Sequence, residues 1–309
     1  MKTITKNQNN VIECTCGTVI EYDKSDLILK GVEKTDYYAI SVVCPHCGKV
    51  HTVKPAEFDS KALIGSINND KNKKNLNEWT ISEISILANS PYVKKVFAIH
   101  DRINITLKNG YNAVFEIIGI EHDVREDGKK AGLTFCLVDL YGTDDDGGIT
   151  MNDECTNEGG FEESDMFKWL NDDFFALFPD EWQEIIVPVV KKTANGGGSN
   201  AEIVDTTCKV FIPSEVEVFG KCYYSMKGEG IQYEGFKNWK DRVKGYPDGY
   251  SGRWYWLRSP YSGSINLFCI VNSFFCAITI LIQCNSGEHP DTYSSKHINF
   301  FHIILPILL

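Results

Sequence analysis

Two cysteine pairs near the N-terminus carry the clearest chemical pattern in the sequence. One pair lies in CTCG and the other in CPHCG, so each is followed directly by a glycine that lets the backbone turn. Zinc binds four thiolates in a tetrahedron, and two pairs on separate turns supply that geometry. The spacing predicts a structural zinc site with His46 and His51 as spare ligands; buried free cysteines are the alternative. The expected ligands are Cys14, Cys16, Cys44 and Cys47.

The other cysteines give no sign of a disulfide framework. The chain has 11 cysteines, and this odd number cannot all pair within one molecule. The first residues, Met1–Asn10, are polar and lack the apolar core of a secretory signal. We therefore interpret the cysteines as reduced thiols and metal ligands.

A search for catalytic patterns finds one weak candidate. His122 and Asp123 are neighbours in GIEHD and could form half of a base relay. Capping of a strand with local hydrogen bonds is the favoured interpretation of this pair. The sequence has no nucleophile elbow, no HExxH and no Walker loop. Asp144–Asp146 lacks EF-hand spacing, which favours a solvated turn. The patterns together predict a protein that is not an enzyme.

Charge and hydropathy limit the partners. The formal net charge of −11 disfavours nucleic acid, because neutralising phosphates requires a basic face. The apolar run Leu267–Ile282 is shorter than the roughly 20 residues of a spanning helix. A second apolar run, Phe300–Leu309, is interrupted by Pro306. A tail anchor is the minority alternative to the prediction that the chain has no membrane span.

Local patterns then predict the elements that position these residues. Apolar spacing indicates helices over Trp79–Ala88 and Met166–Leu177, with another from Asp180. A hairpin is expected around the Asn109–Gly110 turn, and Ser214 begins a capping box with the glutamate three residues on. We expect three parts: a zinc-ribbon-like module at 1–57, a linker with a short helix at 58–95, and a larger domain at 96–309.

The stretch Tyr261–Ile282 has an unusual composition. It contains no Lys, Glu, Gln, Met or Trp, the residue types whose codons require a purine at the third position. The residues that are present can all be reached by changing the adenines of an asparagine codon. The stretch follows an aromatic segment, Arg253–Pro260, and shows no alternation of apolar and polar residues. A pair of core strands explains the apolar character but not the mixture of side chains.

Several segments resemble a family of phage and bacterial proteins marked by a WWLRSP-type sequence. The resemblance runs from about Phe97 to Leu309 and covers about two thirds of the chain. The CxCG…CPxCG module is similar to zinc ribbons of phage proteins. The matching segments are YWLRSP at Tyr255–Pro260, GIEHD at Gly119–Asp123, SDMFKWLNDDFFALFP at Ser164–Pro179 and DTTCKVFIPSEVEVFG at Asp205–Gly220.

This family resembles the variable proteins of diversity-generating retroelements, whose C-terminal region is mutagenised at adenines. The resemblance implies an α+β chain, with a zinc ribbon, a C-type lectin-like domain and a variable region at about 261–298. It implies a protein or cell-surface ligand, possible phage tail partners, and a phage virion or bacterial cytoplasm as the location. The implied framework is Trp254, Trp256, Leu257, Arg258, Phe268 and Val271, and of these Trp256, Leu257 and Val271 should be buried. The residues of the implied variable face should be mostly exposed and clustered; they are Ile265, Leu267, Ile270, Ser273, Phe274, Ile278, Ile280 and Ile282.

Two other classes of protein remain open from the sequence. The first is a structural virion or tail protein whose apolar C-terminal strands form a subunit interface, because exposed apolar patches often mark interfaces. The second is a hydrolase related to phage lysis enzymes, which ranks low for want of a nucleophile. A lectin-like fold implies neither sugar nor calcium binding, because function depends on the site.

Overall fold

The fold mixes short helices with small antiparallel sheets, as the predicted α+β class requires. The computed structural model describes residues 10–22, 26–31, 38–53, 75–142, 150–247, 252–272, 277–282 and 304–307. Within these ranges the strands form five sheets, and the largest has four strands.

The N-terminal strands form two sheets that differ in what they bury. The strands are β1 (Asn10–Glu13), β2 (Val19–Tyr22), β3 (Ile28–Gly31), β4 (Tyr38–Val43) and β5 (Val50–Thr52). The β1–β2 hairpin contributes Ile20 to a small cluster with two cysteines. The β3–β4–β5 sheet instead buries Ile40 and Val42 in the main hydrophobic core. The second sheet is therefore anchored to the rest of the chain by apolar packing.

A short helix follows the N-terminal sheets in the described part of the chain. Helix α1 (Ile81–Ala88) begins at a capping box in which Thr80 and Glu83 each accept a backbone hydrogen bond from the other. Ile84 and Leu87 are fully buried in the main core. This confirms the helix predicted over Trp79–Ala88. Helix α2 (Val93–Val96) follows, and residues 58–74 of the predicted linker lie outside the described residues.

The largest sheet forms around the predicted hairpin. Its strands are β6 (Arg102–Thr106), β7 (Asn112–Ile120), β9 (Leu133–Leu137) and β15 (Ile304–Ile307), in the order β15-β9-β7-β6. Gly110 takes a φ of 86°, the left-handed conformation that the Asn-Gly turn requires. The prediction of this hairpin is confirmed. Pro306 lies in β15, an edge strand, where a residue without an N–H is tolerated.

The middle of the chain supplies a three-stranded sheet and the remaining helices. Strands β8 (Val124–Arg125), β10 (Val189–Ala194) and β11 (Ile203–Cys208) pair in the order β11-β10-β8. The helices are α3 (Asp165–Trp169), which continues as a π-helix at Leu170–Phe174, α4 (Asp180–Gln183), α5 (Glu215–Phe219), and 3-10 turns at Leu76–Glu78, Glu234–Phe236 and Trp239–Arg242. The helices predicted from Met166 and from Asp180 are confirmed, as is the capping box at Ser214.

The C-terminal sheet corrects one expectation about Tyr261–Ile282. Strands β12 (Trp254–Pro260), β13 (Leu267–Asn272) and β14 (Ala277–Ile282) pair antiparallel with β13 in the centre. Ile270 pairs with Trp256 and is fully buried, so its expected exposure is wrong. The four residues 268–271 are all buried, and a strand covered on both faces shows no alternation. The apolar character of β13 is that of a core strand.

The other residues of the implied framework and of the implied variable face differ in how exposed their side chains are. The expected burial of Trp256, Leu257 and Val271 is confirmed. Of the other framework residues, Arg258 and Phe268 are also buried, whereas Trp254 is half-buried. On the expected face, Ile265 is 64% exposed and Leu267 is half-buried. Ser273 and Phe274 lie outside the described residues. Ile278, Ile280 and Ile282 lie in β14, where their backbones pair with Val271, Cys269 and Leu267, and their exposure stays a prediction.

Cys155 corrects the expectation that every cysteine is a thiol or a ligand, because it is disulfide-bonded.

The apolar segment Leu267–Ile282 contains the strands β13 and β14. Within the described ranges, no helix combines the length and apolar character needed to cross a membrane.

Candidate metal centre and binding surface

The four cysteines predicted as ligands meet at one point. Their sulfurs all lie within 4.8 Å of one another. The Sγ atoms of Cys14 and Cys47 are 3.6 Å apart, and those of Cys16 and Cys44 are 3.7 Å apart. A tetrahedron with Zn–S bonds of about 2.3 Å has edges of roughly 3.8 Å. The donor set and spacing therefore fit a four-thiolate metal site, and the predicted proximity of the two pairs is confirmed.

Matching turns position the two pairs. The N–H of Gly17 donates to the carbonyl of Cys14 at 2.8 Å, and the N–H of Gly48 donates to the carbonyl of Cys44 at 2.9 Å. Both glycines have left-handed φ angles, 87° and 71°, which let each turn close after its second cysteine. Lys49 Nζ donates to Thr15 Oγ1 at 2.9 Å and ties one turn to the other. His46 and His51 are not part of the cluster.

A buried network of charges joins Arg258 of the YWLRSP segment to Asp123, and the neighbouring His122 stacks on the ring of Tyr233. Lys191 Nζ lies 2.6 Å from Asp123 Oδ1 and 2.5 Å from Glu217 Oε1. Arg258 binds the other oxygen of Glu217, and its second terminal nitrogen donates to the carbonyl of Glu229 at 3.0 Å. Tyr233 and Thr134 donate to Asp123. The carboxylate of Asp123 bonds to Lys191 and Tyr233, 68 and 110 positions away, so the interpretation of this pair as a cap with purely local hydrogen bonds is wrong.

The charges of the network balance one another. Burial alone would raise the pKa of Glu217, but Arg258 and Lys191 hold that pKa at about 2. Burial would also raise the pKa of Asp123, but the nearby charge of Lys191 lowers it, and the net result is a lowered pKa. At Glu229 burial outweighs the charge of Arg258, which would lower the pKa, and the pKa is raised to about 7. Two cations therefore face two carboxylates that stay ionised. These four charged side chains are at most 5% exposed, which leaves a dissolved substrate no access and indicates a structural role.

Three loops meet at the surface beside the C-terminal sheet. We define the loop surface as residues 195–200, 222–226 and 261–267. Gly198 N–H donates to the carbonyl of Ser262 at 3.0 Å, and Ser262 N–H donates to the carbonyl of Tyr224 at 2.9 Å. The rings of Tyr224 and Tyr261 form an edge-to-face pair at 6.1 Å. The loop surface is therefore continuous from one loop to the next.

A buried asparagine holds two of these loops together. Asn157 is fully buried, and its Nδ2 donates to the carbonyls of Ser264 at 2.8 Å and Leu267 at 2.7 Å. Its Oδ1 accepts from Gly197 N–H at 2.9 Å. The backbones pack so closely here that a Cβ at Gly197 would lie 1.9 Å from the carbonyl oxygen of Ser264. The loop 195–200 is thus fixed against the loop 261–267.

A buried glutamate holds the third loop. The Glu215 carboxylate accepts from the N–H groups of Tyr223 at 2.8 Å, Tyr224 at 3.0 Å and Ser225 at 2.6 Å. Its own N–H donates to Ser259 Oγ at 2.9 Å, which links the loop to strand β12. Hydrogen bonds to a charged acceptor contribute about 1.5–3 kcal/mol each. Glu215 therefore orders the segment that presents two tyrosines to solvent.

We expect Glu215→Gln to loosen this loop and speed trypsin cleavage at Lys221 and Lys227 by about tenfold, since losing one charge-assisted hydrogen bond costs roughly that factor. Limited proteolysis with mass-spectrometric mapping of the cut sites measures the change. Glu234→Gln is the control, because Glu234 is exposed and pairs with Lys237 at 3.5 Å. Equal cleavage rates in both variants would contradict the anchoring role of Glu215.

The sequence interpretation missed the residues that build this surface. Tyr223 is 63% exposed and Tyr224 is 36% exposed, and neither belongs to the predicted variable region. Asn157 and Glu215 were also missed, because their partners are distant in sequence or are backbone groups. The available signal was the composition of the loops, which are rich in Tyr, Ser, Gly and Asn.

Comparison with known proteins adds little about function. Residues 136–277 match a family described as a domain of unknown function (DUF6273). The matched region includes the buried network apart from Asp123 and Thr134, and it includes the whole loop surface. No curated protein and no solved structure matches the chain.

Proposed function

We propose that this chain is a non-catalytic binding protein that presents a diversified surface on a C-type lectin-like scaffold. It is encoded by a phage or prophage, resembles variable proteins of diversity-generating retroelements, and recognises a protein or cell-surface receptor. Its location is the virion or the bacterial cytoplasm. The four-cysteine cluster binds zinc and has a structural role.

The observation that carries the proposal is the difference in burial between the exposed loop 261–267 and the buried strand β12 that precedes it. Ile265 is 64% exposed, although it follows a strand whose Trp256 and Leu257 are at most 2% exposed. A diversified surface requires exposed positions on a backbone that does not depend on their side chains. The backbone contacts to Asn157 provide that independence, because they involve the carbonyls of Ser264 and Leu267 and not their side chains.

The burial of Ile270 narrows the proposed variable face. This residue is fully buried within its own chain and needs no partner to cover it. The diversified positions therefore begin in the loop 261–267 and leave out residues 268–271. The same burial weakens the alternative, a virion protein whose C-terminal strands pack in a neighbouring subunit, because β13 is already covered. A near-identical template repeat beside a reverse transcriptase gene would support diversification over assembly.

Two matched display libraries of the full chain test the proposal. One randomises the exposed Ile265 and Asn266, and the other randomises the buried Phe268 and Ile270. We expect most loop variants to reach wild-type display levels, because exposed substitutions change stability by only about 0.5 kcal/mol. Most β13 variants should fail, since truncating a buried aliphatic costs about 2–5 kcal/mol.

The folded part of the loop library is then panned against purified streptavidin as a fixed protein target. Recovery of clones with micromolar or lower Kd supports a binding scaffold. Display failure of both libraries, or the absence of any binder, overturns the proposed function.

A further inference from the structure

The loop surface contains two exposed tyrosines that lie outside the segment 261–298. Tyr223 and Tyr224 belong to the loop 222–226, which Ser262 joins to the variable loop through bonds from its N–H and its Oγ to the carbonyl of Tyr224. Tyr224 also packs edge-to-face on Tyr261, the first residue of the variable segment. A ligand that covers the loop 261–267 would thus meet these rings.

We propose that Tyr223 and Tyr224 form a constant half of the recognition surface and that its partner is a folded protein. This inference rests on the proposed function. The tyrosines supply affinity shared by all variants, and the loop 261–267 supplies specificity.

The chemistry of the loop surface identifies the class of partner. None of the residues 195–200, 222–226 and 261–267 is charged. A phosphate-rich ligand requires cations, so the surface does not suit nucleic acid. The mixture of Tyr, Ser, Gly and Asn is that of antibody paratopes, which bind folded proteins. Ile265 adds an exposed aliphatic side chain, which matches apolar protein surface better than the hydroxyl groups of a sugar.

The support of the tyrosines favours tight binding. Glu215 accepts hydrogen bonds from three consecutive N–H groups of the loop, so the backbone at Tyr223 and Tyr224 is ordered before the partner arrives. Ordering before binding lowers the entropy that association must overcome. Tyrosine adds large contact area with few rotatable bonds, which is why it is common among interface hot spots.

The experiment uses the streptavidin binders selected from the loop library of the full chain. Tyr223→Ala and Tyr224→Ala are introduced into several independent clones, and Kd is measured by biolayer interferometry beside the melting temperature. We expect one or both substitutions to weaken binding at least tenfold in most clones without lowering the melting temperature. Trp239→Ala is the control, because Trp239 is an aromatic residue of similar exposure, 58%, outside the loop surface; its Kd should change less than twofold.

The outcomes separate this inference from the proposed function. If Kd changes less than twofold in both tyrosine variants, the proposed function is unaffected. The inference that Tyr223 and Tyr224 form a constant half of the recognition surface is then wrong. A library without any binder overturns both. An array of neutral oligosaccharides tests the other occupant: sugar binding by the wild-type chain that disappears in Tyr223→Ala or Tyr224→Ala would overturn the assignment of a protein partner.

Discussion

Replacing Arg258 with methionine is expected to lower the free energy of unfolding by about 3–5 kcal/mol, the cost of breaking a buried ion pair by removing one partner. Arg258 is fully buried and binds Glu217, the carbonyl of Ile212 at 3.0 Å and the carbonyl of Glu229 at 3.0 Å. Methionine fills part of the volume but leaves Glu217 with Lys191 as its remaining cation. Chemical denaturation measures the loss.

The control variant is Arg125→Met. Arg125 pairs with Asp127 near the surface at 3.4 Å, and exposed pairs contribute at most about 1 kcal/mol. A double variant, Arg258→Met with Glu217→Gln, should recover part of the loss, because it removes the uncompensated charge together with its partner. If Arg258→Met is as stable as Arg125→Met, the network does not stabilise this fold.

The second large effect is expected at the cysteine cluster. The purified native chain should contain one zinc, and Cys44→Ser combined with Cys47→Ser should contain none by elemental analysis. Zinc contributes about 10–16 kcal/mol of apparent binding free energy in peptides that fold around it. Among the described residues, the buried cluster beside the β1–β2 hairpin contains Cys14, Ile20 and Cys44, and Ile12 and Tyr22 of the hairpin are only partly buried against the main core. We therefore expect the hairpin to unfold without the metal.

Hydrogen exchange shows which part of the chain loses stability when the zinc ligands are removed. Amides of Asn10–Tyr22 should lose protection in the double variant, whereas Ile40 and Val42 should keep more of it, because they pack in the main core. Cys222→Ser is the matched control, since Cys222 is a half-buried free thiol outside the cluster; it should retain the zinc. A native protein without metal, with unchanged stability after chelation, would refute the zinc site.

Much of the local structure followed from the sequence because its causes are local. The cysteine pairs with their glycines, the Asn109–Gly110 hairpin, the helix from Met166 and the capping box at Ser214 each depend on residues a few positions apart. Such patterns specify backbone conformation directly through turn geometry, apolar spacing and side-chain capping. The burial of Trp256, Leu257 and Val271 was also predicted correctly.

The tertiary structure alone decided which polar residues act together. Lys191 and Asp123 are 68 positions apart, and Asn157 and Ser264 are 107 apart. A sequence pattern cannot specify such pairs, because nothing local distinguishes a lysine that meets a buried carboxylate from one in solvent. Ile270 shows the same limit for apolar residues. Its exposure depends on whether other parts of the chain cover the face of the sheet to which its side chain points, and tertiary packing decides that.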